Sequence, residues 1–224
     1  MTFSIIGHCP DSGMFGVAIS SSSPAVAARC SFARAGVGAV ATQNITDPRL
    51  GPHALDLMER GASPSEALSI LERSGSFMAY RQVLAVGRSG QSAIYSGSQV
   101  LGMWSEAQGR DTAAAGNLLS DAGVPEVMVQ SFGASRGHLG QRLLNALRAG
   151  LDAGGESGPV HSAGLLLVDA QSWPLAELRI DWTMDCPIAA LESAWAVYEP
   201  QMADYVTRAL DPREAPSYGV PGDE

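Results

Sequence analysis

Thr2 stands directly behind Met1 and opens a short β-type run, Thr2-Phe3-Ser4-Ile5-Ile6-Gly7. A small second residue favours removal of Met1, which leaves Thr2 as the amino terminus. There one residue carries both a hydroxyl and a free α-amine. An α-amine titrates at about 7.7–8.0, so much of it is free base near neutrality. It can take the hydroxyl proton directly or through a water, and a threonine paired with its own amine is an activated nucleophile. Many chains begin Met-Thr, so the chemistry depends on what converges there.

Other residues could serve such a nucleophile. Asn117, behind Gly116 near a strand end, offers an amide NH₂ and a neighbouring backbone N–H to an oxyanion; Gly-Asn also suits a turn. Arg34 precedes an apolar strand. It can hold positive charge near the nucleophile or grip a substrate carboxylate with two N–H groups. It does not deprotonate, so it shuttles no proton, and a surface ion pair is the competing reading. Ser20 to Ser23 are four serines at the end of the second strand. Ser20 and Ser22 share one face, and either could orient the Thr2 amine; Ser21 and Ser23 read as loop. Gln43 and Asn44 end a central strand, and His161 and Ser162 begin a late one. These four, with Ser20 and Ser22, are the expected substrate-binding groups. His8, Cys9 and Asp11 are too sparse for a metal site, so neither metal nor organic cofactor is expected. Cys9, Cys30 and Cys186 form no disulfide framework or CxxC clip; they read as reduced, mostly buried thiols.

Elements must bring these residues together. Thr2–His8 and Met14–Ser20 flank a Pro-Asp-Ser-Gly turn and predict a β-hairpin. Gly36–Gln43 is small and apolar throughout, as suits a strand covered on both faces. Helices are expected over Gly51–Arg60 and from Ser63 to Gly75, where Ser63 and Glu66 make a capping box with Pro64 between them. Strands follow at Arg81–Gly87 and Gln91–Tyr95, with one or two more in 100–116. Pro125–Phe132 reads as a helix. In His138–Asp152, Leu139, Leu143, Leu147 and Leu151 form a buried stripe. Ala163–Asp169 and Leu175–Asp181 predict a second hairpin, and Asp185 a helix cap with Pro187 in the first turn. The grouping of strands and helices departs from strict β-α alternation. It predicts an α+β fold: two antiparallel sheets packed face to face with helices outside both. Residues 1–210 form one domain and 211–224 a flexible tail, rich in Pro, Gly and charge.

Composition narrows the function. The 224 residues are 46% hydrophobic, enough for one folded domain. Net charge is −9, against nucleic-acid binding through a basic face. All 14 basic residues are arginine, which excludes a Schiff-base lysine, a Walker lysine and a lysine general base. The longest apolar run, Ala163–Val168, is too short to cross a bilayer, and without a signal-peptide pattern the expected address is the cytoplasm.

The segments Met1–Ile5, Gly16–Ser20, Ala33–Gln43 (ARAGVGAVATQ), Leu50-Gly51-Pro52, Arg81-Gln82, Gly116-Asn117, Arg142-Leu143-Leu144 and Ala153-Gly154-Gly155 resemble a bacterial family catalogued as domain of unknown function 1028, across roughly residues 1–182. The resemblance implies the four-layer αββα sandwich of amino-terminal nucleophile (Ntn) hydrolases. There the first residue of a strand at a sheet edge is nucleophile and base together, and amide bonds are cleaved. One segment departs. After the double glycine the family pattern is an acidic residue, an arginine and then Gln-Ser-Ala. Here Glu156-Ser157-Gly158-Pro159-Val160-His161-Ser162-Ala163 lacks the arginine and has His161 in place of the glutamine.

These readings give an Ntn-type amidohydrolase acting on a small amide or related C–N bond other than a peptide bond. Thr2 is its nucleophile, Asn117 helps hold the oxyanion, and Arg34 binds at most one substrate carboxylate. The alternative is a non-catalytic small-molecule-binding protein on the same scaffold. The only other partner expected is a second copy, because Leu191, Trp195, Tyr198, Met202 and Tyr205 place an apolar load near the carboxyl end.

Overall fold

The computed structural model describes residues 1–222. Strands β1 (Thr2–His8) and β2 (Phe15–Ser21) form the expected hairpin, in register from Phe3 opposite Ser20 to His8 opposite Phe15. A short helix α1 (Ala27–Cys30) and strand β3 (Ser31–Arg34) follow, both unforeseen in a stretch with no clear period. Then come β4 (Gly38–Asn44), helices α2 (Leu50–Glu59) and α3 (Pro64–Ser74), β5 (Arg81–Gly87), β6 (Ser92–Ser96), β7 (Ser105–Gly109) and β8 (Thr112–Asn117). Helices α4 (Val124–Ala134) and α5 (Leu139–Asp152), strands β9 (Ser162–Val168) and β10 (Ala176–Ile180), and helices α6 (Pro187–Tyr198) and α7 (Met202–Leu210) complete the order.

The strands make two antiparallel sheets. One has six strands in the order β10-β9-β2-β1-β8-β7, the other four in the order β3-β4-β5-β6. Alternation along each strand sorts side chains into two layers. From β1, Phe3 and Ile5 join Phe132 of α4 and Leu143, Leu144 and Leu147 of α5 in one core. Ile6 faces the other way, into an inter-sheet core with Val17, Ala39, Ala41, Leu84 and Ala113. Val40, Val83 and Ala85 pack beneath α2 and α3. The result is the αββα arrangement expected from the grouping of the elements. Each fully buried Leu, Ile or Phe in these cores contributes about 1.5–3 kcal/mol. Packing is close enough that a Cβ at Gly7 would sit 2.9 Å from the Phe132 ring.

Local signals read from the chain appear in place. Ser63 caps α3 with the full capping box to Glu66. The α6 cap differs: its N-cap is Cys186, without a side-chain bond, while the Asp185 backbone N–H donates to Thr183 Oγ1. Leu191, Trp195 and Met202 are core residues, so most of the apolar load that suggested a dimer face is spent within the chain. Tyr205 is exposed and stacks on Tyr198 at 5.8 Å. Beyond α7 the chain folds back, with Arg208 over the Tyr218 ring at 3.9 Å and donating to the Pro216 carbonyl. Residues 223–224 of the expected tail lie outside the described residues. No described helix is long and apolar enough to cross a membrane.

Candidate active site

At the Thr2 end of the sandwich the inter-sheet layer turns polar. The inward positions that carry Ile6, Ala41, Leu84 and Ala115 further along carry Thr2 and Ser4 on β1, Gln43 on β4, Gln82 on β5 and Asn117 on β8. All five are buried. An unpartnered buried polar group costs about 1–3 kcal/mol, so such a layer persists only if linked. Ser4 Oγ donates to Gln43 Oε1 at 2.6 Å, and Gln43 Nε2 donates to Gln82 Oε1 at 2.8 Å and the Ala115 carbonyl at 3.1 Å. Gln82 Nε2 continues to Ser96 Oγ at 3.0 Å, and Ser96 to Glu106 at 2.8 Å. The chain of bonds ties both sheets together beneath Thr2.

Thr2 opens β1, an interior strand of its sheet rather than an edge strand, and is 5% exposed. Its Oγ1 donates to the Met1 carbonyl at 2.5 Å and lies 3.3 Å from Ser21 Oγ. Ser21 Oγ also donates to the Met1 carbonyl at 2.5 Å, and accepts from the Ser23 backbone N–H at 3.0 Å. A hydroxyl donor is therefore fixed on a carbonyl oxygen beside the Thr2 hydroxyl, the arrangement that steadies an oxyanion.

Asn117 is the register partner of Thr2 across β1 and β8. Its Nδ2 is committed to Gln82 Oε1 at 3.3 Å, and its buried Oδ1 has no partner among the described residues. Reversing the amide would set two oxygens against each other at Gln82. Asn117 thus presents an acceptor rather than the oxyanion donor expected of it.

Glu156 completes the cluster. Left-handed Gly154 and Gly155, at φ +117 and +56, turn the chain sharply after α5 and set Glu156 opposite Leu119. A Cβ on Gly154 would meet Ser120 Oγ at 2.2 Å, so the double glycine serves close approach. The Glu156 oxygens accept from the Ser22 backbone N–H at 3.1 and 3.2 Å. Burial pushes the carboxyl from an ordinary 4.5 up to about 7, opposed by the Met1 ammonium, the Ser22 bonds and His161. An acid with a raised folded pKa is disfavoured when ionised. Its folded state keeps full stability below pH 4.5 and loses it as pH rises towards 7. Glu156→Gln is therefore expected to gain about 2–3 kcal/mol at pH 8 relative to its effect at pH 4. Urea midpoints at the two pH values measure this, and the comparison cancels any fixed cost of the new amide.

The other expected site residues divide by position. Ser20 faces the helix layer opposite Phe3, and its Oγ donates to the Ser162 carbonyl at 3.0 Å. Ser20 and Ser22 share a face, but the face beside Thr2 belongs to Ser21. Ser22 touches the site through Glu156. Asn44, at φ +69, is spent holding the Tyr80 carbonyl and the Leu101 N–H. His161 lies at the Thr2 end, stacked on Trp182 at 4.5 Å, with Nδ1 2.8 Å from the Thr183 carbonyl. Ser162 Oγ donates to the Ser23 carbonyl at 2.6 Å and steadies the serine loop.

Arg34 is not at the site. It pairs with Gly38, at the opposite end of β4 from Gln43, and its guanidinium holds Asp56 at 2.8 Å and Glu59 at 2.7 Å. The cleft it lines, about 520 Å³ with Val168 and Trp173, opens at that far end. Arg34→Ala is expected to cost about 0.5–1 kcal/mol in thermal unfolding and to leave turnover unchanged. A strong rise in KM would return Arg34 to the substrate.

Sequence reasoning passed over Ser4, Ser21, Gln82 and Glu156. Parity was the available signal for Ser21: counting inward from Val17 selects the odd-numbered serines. The lone carboxylate behind a double glycine was the signal for Glu156. Among the described residues, no three or more His, Cys, Asp and Glu side chains are grouped so that they could hold a metal ion.

The model of a family described as "Family of unknown function (DUF1028)" matches residues 2–191. Among solved structures, protein SPO2555 from Silicibacter pomeroyi, itself assigned to DUF1028, is similar at 30% identity with a TM-score of 0.84, over 91% of this chain and 89% of that one. Anbu (ancestral beta-subunit) from Yersinia bercovieri is similar at 12% identity with a TM-score of 0.41, over 92% and 97%. No curated protein matches.

Proposed function

We propose, from the premise that this chain belongs to the family of unknown function DUF1028, that it is an Ntn-type amidohydrolase acting on a small amide or related C–N bond. The observation that carries the reading is the pair of hydroxyls, Thr2 and Ser21, converging on one carbonyl oxygen at the end of an interior strand.

Removal of Met1 frees the Thr2 α-amine. The amine takes the hydroxyl proton while Thr2 Oγ1 forms a bond to the substrate carbonyl carbon. Ser21 Oγ donates to the oxygen as it gains charge, and Asn117 Oδ1 is available to hold an N–H of the amine. The C–N bond then breaks and the departing nitrogen takes the proton. Water, activated by the same amine, cleaves the ester, releases the acid and restores the hydroxyl. The Gln43–Gln82 chain below links Ser4 of β1 to Asn117 of β8.

The second reading, a binding protein without turnover, is favoured by one observation: with Met1 in place Thr2 is almost wholly covered. Intact-mass measurement on protein from its source organism separates the two. The proposal expects loss of Met1 and hydrolysis of at least one member of a panel of amides, ureas and acylated amino acids. Complete retention of Met1 removes the base and defeats it.

A further inference from the structure

Met1 is amide-linked to the Thr2 nitrogen. The acyl-enzyme of the reaction above carries an acyl group on Oγ1 of the same residue. The two differ by a shift between neighbouring atoms through a five-membered ring, so everything beyond the carbonyl lies in nearly the same surroundings. Met1 therefore stands in for the acyl half of a substrate. Its carbonyl oxygen is where the substrate oxygen sits, under Thr2 Oγ1 and Ser21 Oγ, each at 2.5 Å. Its side chain runs towards Gly158, where an added Cβ would lie 3.8 Å from Met1 Cε. Its ammonium marks the position of an acyl α-substituent.

That position has an electrostatic partner. Glu156 is buried and its oxygens accept from the Ser22 backbone N–H, one residue on from the Ser21 hydroxyl that holds the Met1 carbonyl. The Met1 ammonium opposes the burial that pushes its carboxyl up. No direct ion pair joins them among the described residues, so the attraction acts at longer range. Once Met1 leaves, this support goes. The Thr2 amine cannot replace it, because a base must be neutral to work. An arriving ammonium can. A carboxylate on the acyl group would meet Glu156 instead, with Arg34 engaged at the other end of the sheet.

We infer that the substrate is an α-amino acid amide, its α-ammonium facing Glu156 and its uncharged side chain lying along Gly158. This rests on the Thr2 reading above.

The test uses Met1-free protein, confirmed by intact mass, with two probes: methionine p-nitroanilide and its des-amino analogue. At pH 7 the expected kcat/KM ratio favours the amino compound by about 10- to 100-fold, the span of one charge-assisted contact. Glu156→Gln brings the ratio towards one, while Glu156→Asp, which keeps the charge, retains part of it; circular dichroism checks that both variants fold. Equal rates for the two probes, or a preference untouched by Glu156→Gln, overturns the inference and leaves the hydrolase reading standing. So does cleavage of neither probe by protein whose Thr2 is labelled by a neutral β-lactone. Absence of that labelling defeats the hydrolase reading itself, and the inference falls with it.

Discussion

Thr2→Ala in Met1-free protein is expected to lower kcat/KM by on the order of 10⁴- to 10⁶-fold, the range seen when a nucleophile is deleted. Alanine is also small, so Met1 is still removed and the terminal amine remains. The variant thus removes the hydroxyl and keeps the base. Folding should survive, because among the described residues Thr2 Oγ1 bonds only to Met1 and Ser21, while the strand pairing of β1 is made by backbone. Thr2→Ser restores a hydroxyl without the β-methyl that restricts its rotamer, and should recover activity to within about tenfold. An Ala variant with wild-type turnover of the same amide would place the nucleophile elsewhere.

The second large effect belongs to Ser21. Its hydroxyl is held by the Ser23 N–H and aimed at the carbonyl oxygen beside Thr2. A donor fixed in advance needs no reorganisation when charge develops, and losing one costs about 10²- to 10³-fold in kcat. Ser21→Ala should show that loss in kcat with little change in KM, because the contact strengthens as the oxyanion forms. Ser20→Ala is the matched control. Ser20 is equally buried but lies on the helix side, bonded to the Ser162 carbonyl. It should lose about 1 kcal/mol of stability and keep its kcat. Steady-state kinetics on the two variants distinguish a hydroxyl that meets the substrate from one that holds a loop.

The contrast between these serines shows how far the sequence could be read. The hairpin, the leucine stripe of α5, the capping box of α3 and the αββα layering follow from local period and turn chemistry, and each appears where the chain indicates. What local pattern cannot supply is which face of a strand meets the other sheet. Ser20 and Ser21 are one residue apart, and a step of one residue exchanges the two faces of a strand. Only the packing of Val17 into the inter-sheet layer decides it. Arg34 fails for a related reason. It borders the strand that carries Gln43, but at the far end, and proximity in sequence does not say which end of a sandwich a residue occupies. Glu156 depends on a long-range approach, the bridge to Leu119 set by two left-handed glycines, which no single segment announces. Asn117 lies opposite Thr2 in the strand register, but the direction of its amide is set by Gln82, a partner 35 residues away in sequence.

The central claim is that the Thr2 hydroxyl of the Met1-free chain is the atom that accepts the acyl group. Incubation with an acyl-transferring electrophile such as a β-lactone, followed by peptide mapping by mass spectrometry, tests it directly. The account predicts a single stoichiometric adduct on Thr2, lost in Thr2→Ala and unaffected by prior alkylation of accessible thiols. An adduct on Cys9 or Cys30 in its place, or none on Thr2 at full occupancy of the free amino terminus, would contradict it.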